Sequence, residues 1–130
     1  MALTVADTDV LIDFLAGKGK SAERVSREME RGELVTTTVA RFELLSGMTP
    51  KSEKALRAML EAIPALPLDA AGADRAAEVR RALERSGEPI GMGDSLIAGI
   101  VLEAGGELLT RNTKHFARVR GLRLAEPDSE

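Results

Sequence analysis

The chain has 130 residues, enough for one domain with a substantial core and too few for a separate regulatory module. It has no cysteine, which excludes disulfides, thiolate metal sites and cysteine nucleophiles, and its only aromatic residues are Phe14, Phe42 and Phe116, which argues against base stacking as a mode of nucleic-acid binding. The formal charge of −3 decides nothing about partners, because an acidic metal site lowers a total that hides its own distribution.

The start, Met1 to Ala6, lacks a basic leader, and no apolar stretch approaches the length of a membrane span. A cytoplasmic protein without membrane contact is expected. Leu3, Thr4, Val5 and Ala6 form a short apolar run that breaks into Asp7, Thr8 and Asp9, followed at once by Val10, Leu11, Ile12, Phe14 and Leu15 and closed by Gly17. This pattern predicts a first strand that delivers two acids to a strand-to-helix junction. Asp7 also suits a helix N-cap, but capping needs one such residue.

Lys18, Gly19, Lys20 and Ser21 superficially match a phosphate-binding loop, yet Phe14 stands where that loop needs its first glycine, so the reading is rejected. Ser21 to Arg31 is strongly charged, with Ala22, Val25 and Met29 at helical spacing and Gly32 as a stop, and predicts an amphipathic surface helix. Leu34 to Thr38 is β-branched and predicts a second strand that runs into a short helix, Val39 to Gly47. Within it Glu43 lies one turn from Val39 and one turn before Gly47. A glutamate on that inner side needs a cation, a salt bridge or partial solvation.

Thr49 and Pro50 predict an N-cap followed by proline at the first helical position, opening a helix over Lys51 to Ile63. Leu66, Pro67 and Leu68 predict an edge strand, since proline cannot donate to a ladder. Asp69 is expected to cap an alanine-rich helix from Ala70 to about Arg85. A glycine-punctuated loop, Glu88 to Gly93, then feeds Asp94, Ser95 and a stretch that is apolar on every side, Leu96 to Leu102, which predicts a buried helix with Asp94 or Ser95 at its start.

Gly105 and Gly106 turn into a fourth strand, Glu107 to Thr110, whose end gives Arg111, Asn112, Thr113, Lys114, His115 and Phe116. Leu122 to Leu124 predicts a last short strand, and Pro127 to Glu130 a frayed acidic end. Arg111, Lys114, Arg118, Arg120 and Arg123 make this the most basic region, readable as a phosphate-contacting rim or as a solvated face. Strands alternate with helices throughout. The fold class expected is α/β, a three-layer sandwich with a central parallel sheet and helices on both faces, formed by residues 1–130 as one domain.

Asp7, Glu43, Asp94 and Asn112 all fall at strand-to-helix transitions or buried helix starts, which share one edge of a parallel sheet. Oxygen donors without thiolate or clustered imidazole suit a hard cation such as Mg²⁺ or Mn²⁺. Such a cation activates water and neutralises charge on a phosphate, so phosphodiester hydrolysis is the reaction class that fits.

Four segments carry a resemblance to a known family: Val5 to Ile12, Phe42 to Gly47, Asp94 to Ala98, and Leu109 to Phe116. In this order and spacing the chain resembles the PIN-domain ribonucleases, most closely the VapC toxins of toxin-antitoxin pairs. The resemblance implies an acidic pocket in which Asp7, Glu43 and Asp94 bind Mg²⁺ or Mn²⁺ and activate water to cut RNA. Thr8 and Asp9 lie beside it, Thr110 and Asn112 complete it, and Arg111 and His115 support it. A homodimer and a cognate VapB-like antitoxin are implied as well. Many relatives carry aspartate at the position of Asn112, and some an acid at His115; a neutral residue at 112 weakens a second metal site. Two other readings compete, a PIN-like module that binds RNA or a partner without cutting, and a haloacid-dehalogenase-type phosphatase with Asp7 as nucleophile.

Overall fold

The computed structural model describes residues 3–126. Five parallel strands form the sheet: β1 (Thr4–Ala6), β2 (Leu34–Thr37), β3 (Ala65–Leu66), β4 (Glu107–Leu109) and β5 (Arg123–Leu124), in the spatial order β3-β2-β1-β4-β5. The first three strands step outward in one direction and the chain then crosses back to place β4 on the other side of β1. Strand order therefore reverses beside β1, and the carboxyl ends of β1 and β4 flank the crevice where open α/β sheets bind ligands. In register, Ala6 lies opposite Leu109 and Val5 opposite Leu108 and Val35.

Side chains alternate across each strand, so neighbouring residues serve different faces. Ala6, Leu34 and Leu109 pack with α1 (Thr8–Ala16), α2 (Lys20–Arg31), α3 (Thr38–Ser46) and α4 (Glu53–Ala62) through Val10, Leu11, Val25, Leu44, Leu56 and Leu60. Val5, Val35 and Leu108 face the other way. They pack with α5 (Ala70–Arg85), α6 (Met92–Ala104) and α7 (Thr113–Phe116) through Val79, Leu83, Ile97, Val101 and Phe116. This is the three-layer arrangement expected from the alternating pattern. Removing the fully buried Phe116 ring to alanine would cost about 3–5 kcal/mol.

Several boundaries differ from the sequence expectation. Thr49 and Pro50 do not open α4. Thr49 and Ser52 instead bond each other through hydroxyls and backbone in a turn, and the helix starts at Glu53. Asp94 does not open α6, which begins at Met92 behind an N-cap at Gly91; the Ser95 hydroxyl donates to Gly91 O at 3.0 Å within that first turn. Asp69 does cap α5, accepting from Gly72 N–H at 2.9 Å. Thr38 belongs to α3 and not to β2, because Thr37 caps the helix by accepting from Ala40 N–H. The edge strand around Pro67 is β3, at Ala65–Leu66. The acidic end from Pro127 lies outside the described residues.

Candidate active site

Asp7 leaves β1 with its N–H donated to Leu109 O at 2.9 Å, which ties the turn to the neighbouring strand. It serves two roles at once. Oδ1 accepts from Thr8 N–H at 2.8 Å as the N-cap of α1, and Oδ2 accepts from the Thr110 hydroxyl at 2.7 Å, across 103 positions of sequence. Capping thus occupies one oxygen of Asp7, and the other is turned to the end of the neighbouring strand. Only 6% of the residue is exposed, and burial pushes its pKa up to about 6 against the opposing Thr110 bond; the charges of Asp9 and Asp94 push in the same direction.

Thr110 follows β4 directly and is fully buried, and its hydroxyl lies 3.4 Å from Asp9 Oδ2 and accepts from Asn112 N–H at 3.0 Å. Asp9, in the first turn of α1, takes a second bond on Oδ2 from Arg111 N–H at 3.1 Å. Its Oδ1 is buried without a partner. Burial raises the Asp9 pKa, opposed by the Arg111 N–H and guanidinium. Buried carboxylate oxygens are normally bonded, so this one marks a place for a proton or a cation.

Glu43 comes from α3 on the other side of β1. The Thr8 hydroxyl donates to its Oε1 at 2.5 Å, and a side chain on Gly93 of α6 would meet Oε2 at 2.8 Å. Gly93 therefore makes room for the Glu43 carboxylate between α3 and α6. Asp94 follows it, with Oδ2 accepting from Asn112 Nδ2 at 3.1 Å and lying 3.8 Å from His115 Nδ1. Burial raises the Asp94 pKa, His115 opposes, and Glu43 and Asp9 add to the rise.

Every residue proposed from sequence for this site is therefore linked into one cluster at the carboxyl edge of β1, β2 and β4. Sequence reasoning missed Asp13, whose Oδ2 holds the Arg111 guanidinium at 2.8 Å and the Ser21 hydroxyl at 3.0 Å. The signal was present: Asp13 is one helical turn beyond Asp9 and shares its face. The basic run divides. Arg111 stands at the acids, but Arg123 bonds Gly105 O before β4, at the opposite edge of the sheet, and Arg118 reaches Pro89 O.

Among the described residues no three acid or imidazole side chains stand together as a ready cation cage. The donors nevertheless fit a hard divalent cation in kind: carboxylate oxygens, neighbouring acids that raise the pKa values of Asp7 and Asp94, and one buried oxygen left unpaired. Beside Glu43 opens an apolar groove of about 400 Å³ lined by Val39, Phe42, Leu68, Met92 and Leu96, with Phe42 68% and Met92 65% exposed. A second cleft of about 420 Å³, lined by Arg75, Glu78, Leu83, Leu102 and Arg118, gathers no such acids.

The profile of the PIN domain matches residues 4–122. The chain is 31% identical over 125 residues to the tRNA(fMet)-specific endonuclease VapC of Shigella flexneri, covering 92% of this chain and 94% of that protein. It is 30% identical over 114 residues to ribonuclease VapC10 of Mycobacterium tuberculosis, covering 88% of this chain and 86% of the relative. The fold matches DNA-bound VapBC from Salmonella typhimurium with a TM-score of 0.85 at 22% identity, over 98% of this chain and 99% of that one. The acids converge, then, on the scaffold that these comparisons identify independently, which removes the phosphatase reading: the chain belongs to the PIN-domain family and is a nuclease of its VapC group.

Proposed function

We propose that residues 1–130 form one PIN domain acting as a Mg²⁺-dependent endoribonuclease, the toxin of a cytoplasmic toxin-antitoxin pair. The observation that carries this reading is the convergence of Asp7, Asp9, Glu43 and Asp94, from three different segments, on one edge of the sheet, with the pKa values of the three aspartates raised and one buried oxygen unpaired. Asp7, Glu43 and Asp94 would hold Mg²⁺ or Mn²⁺, which when bound supplies an activated water and offsets charge on the phosphate under attack.

The chain's own groups prepare that chemistry. Thr110 and the Thr8 N–H fix both oxygens of Asp7, and the Thr8 hydroxyl fixes one oxygen of Glu43, so the carboxylates are aimed before substrate arrives. Asn112 orients Asp94. Arg111, anchored by Asp13 and by its own N–H on Asp9, stands at the rim with its side chain 57% exposed, where a phosphate of an RNA chain would meet it. A VapB-like antitoxin and a second copy of the chain are the partners of this reading. The family to which the relatives belong supports the first, and the apolar groove beside Glu43 offers surface for a partner's apolar side chains.

The test is incubation of purified, antitoxin-free protein with a panel of structured cellular RNAs in Mg²⁺ or Mn²⁺. Cutting at discrete sites is expected, abolished by chelator and by Asp94→Asn. Tight RNA binding with no metal-dependent cutting across the panel would instead favour the non-catalytic binding module.

A further inference from the structure

Asn112 occupies the N-cap position of α7, where an asparagine side chain ordinarily accepts a bond from the helix backbone. It makes no such cap bond. Its amide is turned instead toward Asp94 Oδ2 and His115 Nδ1, at 3.1 Å from each, and those two atoms are 3.8 Å apart. Three side chains from α6 and α7 thus form a small triangle of polar atoms beside Asp9.

With the nitrogen Nδ2 at its corner, the amide donates to Asp94 and to a His115 whose proton is on Nε2. A half-turn of the same amide places its carbonyl oxygen there. The corners are then one carboxylate oxygen, one amide oxygen and one imidazole nitrogen, all lone pairs and no proton between them. The centre of a triangle of that size lies about 2 Å from each corner, the bond length from a divalent metal to oxygen or imidazole nitrogen. His115 is the only histidine in the chain, and its Nδ1 faces this triangle while the side chain stays 45% exposed.

We propose that His115 is a metal ligand, joining Asp94 and Asn112, and that its imidazole nitrogen makes the centre favour Mn²⁺ or Co²⁺ over Mg²⁺. This rests on the metal-nuclease reading and sharpens it. Mg²⁺ is satisfied by oxygen alone, whereas imidazole adds affinity for transition metals in the order in which Co²⁺ exceeds Mn²⁺. Asn112 is neutral, and the imidazole nitrogen next to it adds a lone-pair donor suited to transition metals.

Metal binding itself provides the test, on chelator-stripped full-length protein, wild type and His115→Gln, His115→Asp and Asp94→Asn, each checked for native circular dichroism. Calorimetric titration with Mn²⁺ and with Mg²⁺ is expected to show His115→Gln weakening Mn²⁺ at least about tenfold, the low end of what losing even a ligand's supporting partner costs, with a much smaller effect on Mg²⁺. His115→Asp should keep or tighten Mg²⁺ binding while narrowing the preference for Mn²⁺. In proton NMR, Co²⁺ should produce a single exchangeable imidazole N–H signal far outside the diamagnetic range, absent from His115→Gln. Binding of Mn²⁺ that depends on Asp94 yet is unchanged in His115→Gln, or Co²⁺ bound without that signal, would overturn the role of His115 and leave the nuclease reading standing. Absence of both metal binding and RNA cutting in the wild type would remove the reading and the inference together.

Discussion

Thr110 ties two of the site's acids together through one hydroxyl. One hydroxyl proton, fully buried, is given to Asp7 Oδ2 at 2.7 Å, with Asp9 Oδ2 at 3.4 Å as its alternative. Thr110→Val keeps the shape and removes the proton. The carboxylate is then left with only its cap bond, at a cost of about 1–3 kcal/mol, and the Asp7 pKa moves further up because the bond that opposed burial is gone. The acid limb of the rate-pH profile is expected to shift to higher pH, with a lower plateau, in the same RNA-cleavage assay. An unmoved acid limb would mean that Asp7 does not need to be ionised. From sequence Thr110 was visible as the polar end of an apolar strand, but its partner was visible only through the family resemblance, since no local pattern pairs residues 110 and 7. Asp13 shows the converse: its spacing from Asp9 was legible, but a carboxylate on a helix has many harmless explanations until Arg111 is found against it.

At the scale of one element, α6 carries two glycines with opposite jobs. A methyl group on Gly99 would fall 2.6 Å from both Ala76 N and Gly72 O, so α5 and α6 touch backbone to backbone there. Gly99→Ala must push the helices apart, and the roughly 1–3 kcal/mol typical of overpacking exceeds the gain in helix propensity of about 1 kcal/mol. Gly93→Ala meets only the tip of Glu43, a side chain that can swing away. Its expected effect is near-normal stability in urea denaturation with a clear fall in cleavage rate, while Gly99→Ala should lose stability first. Reversed effects would show that Gly93 does not seat the carboxylate. The apolar composition of this helix announced its burial correctly. Its start was misplaced because Met92 and Gly93 lie before the apolar run, and the helix begins there on backbone capping by Gly91 alone. That two-residue shift matters chemically: Asp94 is not spent on capping and faces Asn112. The turn at Thr49–Ser52 was misread for a related reason, since Thr-Pro signals a helix start and a hydroxyl-bonded turn equally well.

For the molecule as a whole, alternation of strands and helices was enough to predict a parallel sheet covered on both faces, because a strand buried on both sides and an amphipathic helix leave few other solutions. Strand order was not legible: nothing local says that β4 returns beside β1, and that adjacency is what brings Thr110, Arg111 and Asn112 to Asp7 and Asp9. The result is a fold that buries repelling acids at its central crevice and is less stable for it. A carboxyl whose native pKa is raised contributes stability that is complete below its ordinary value of 3.8 and is lost as pH rises through about 6. For Asp7, buried to 6% exposure, that loss amounts to roughly 3 kcal/mol in the metal-free protein. Chelator-treated wild type should therefore lose stability between these two pH values relative to Asp7→Asn, which has no carboxyl to ionise. At pH 7 the variant should be the more stable of the two and inactive. Mg²⁺ should then narrow the gap by stabilising only the wild type, because a cation that binds the native site adds its binding energy to folding. Urea denaturation of both proteins across this pH range, with and without Mg²⁺, checks the argument. A parallel pH dependence in wild type and Asp7→Asn would show that Asp7 is not the group that opposes folding. A Mg²⁺ effect equal in the two would place the cation somewhere other than on Asp7.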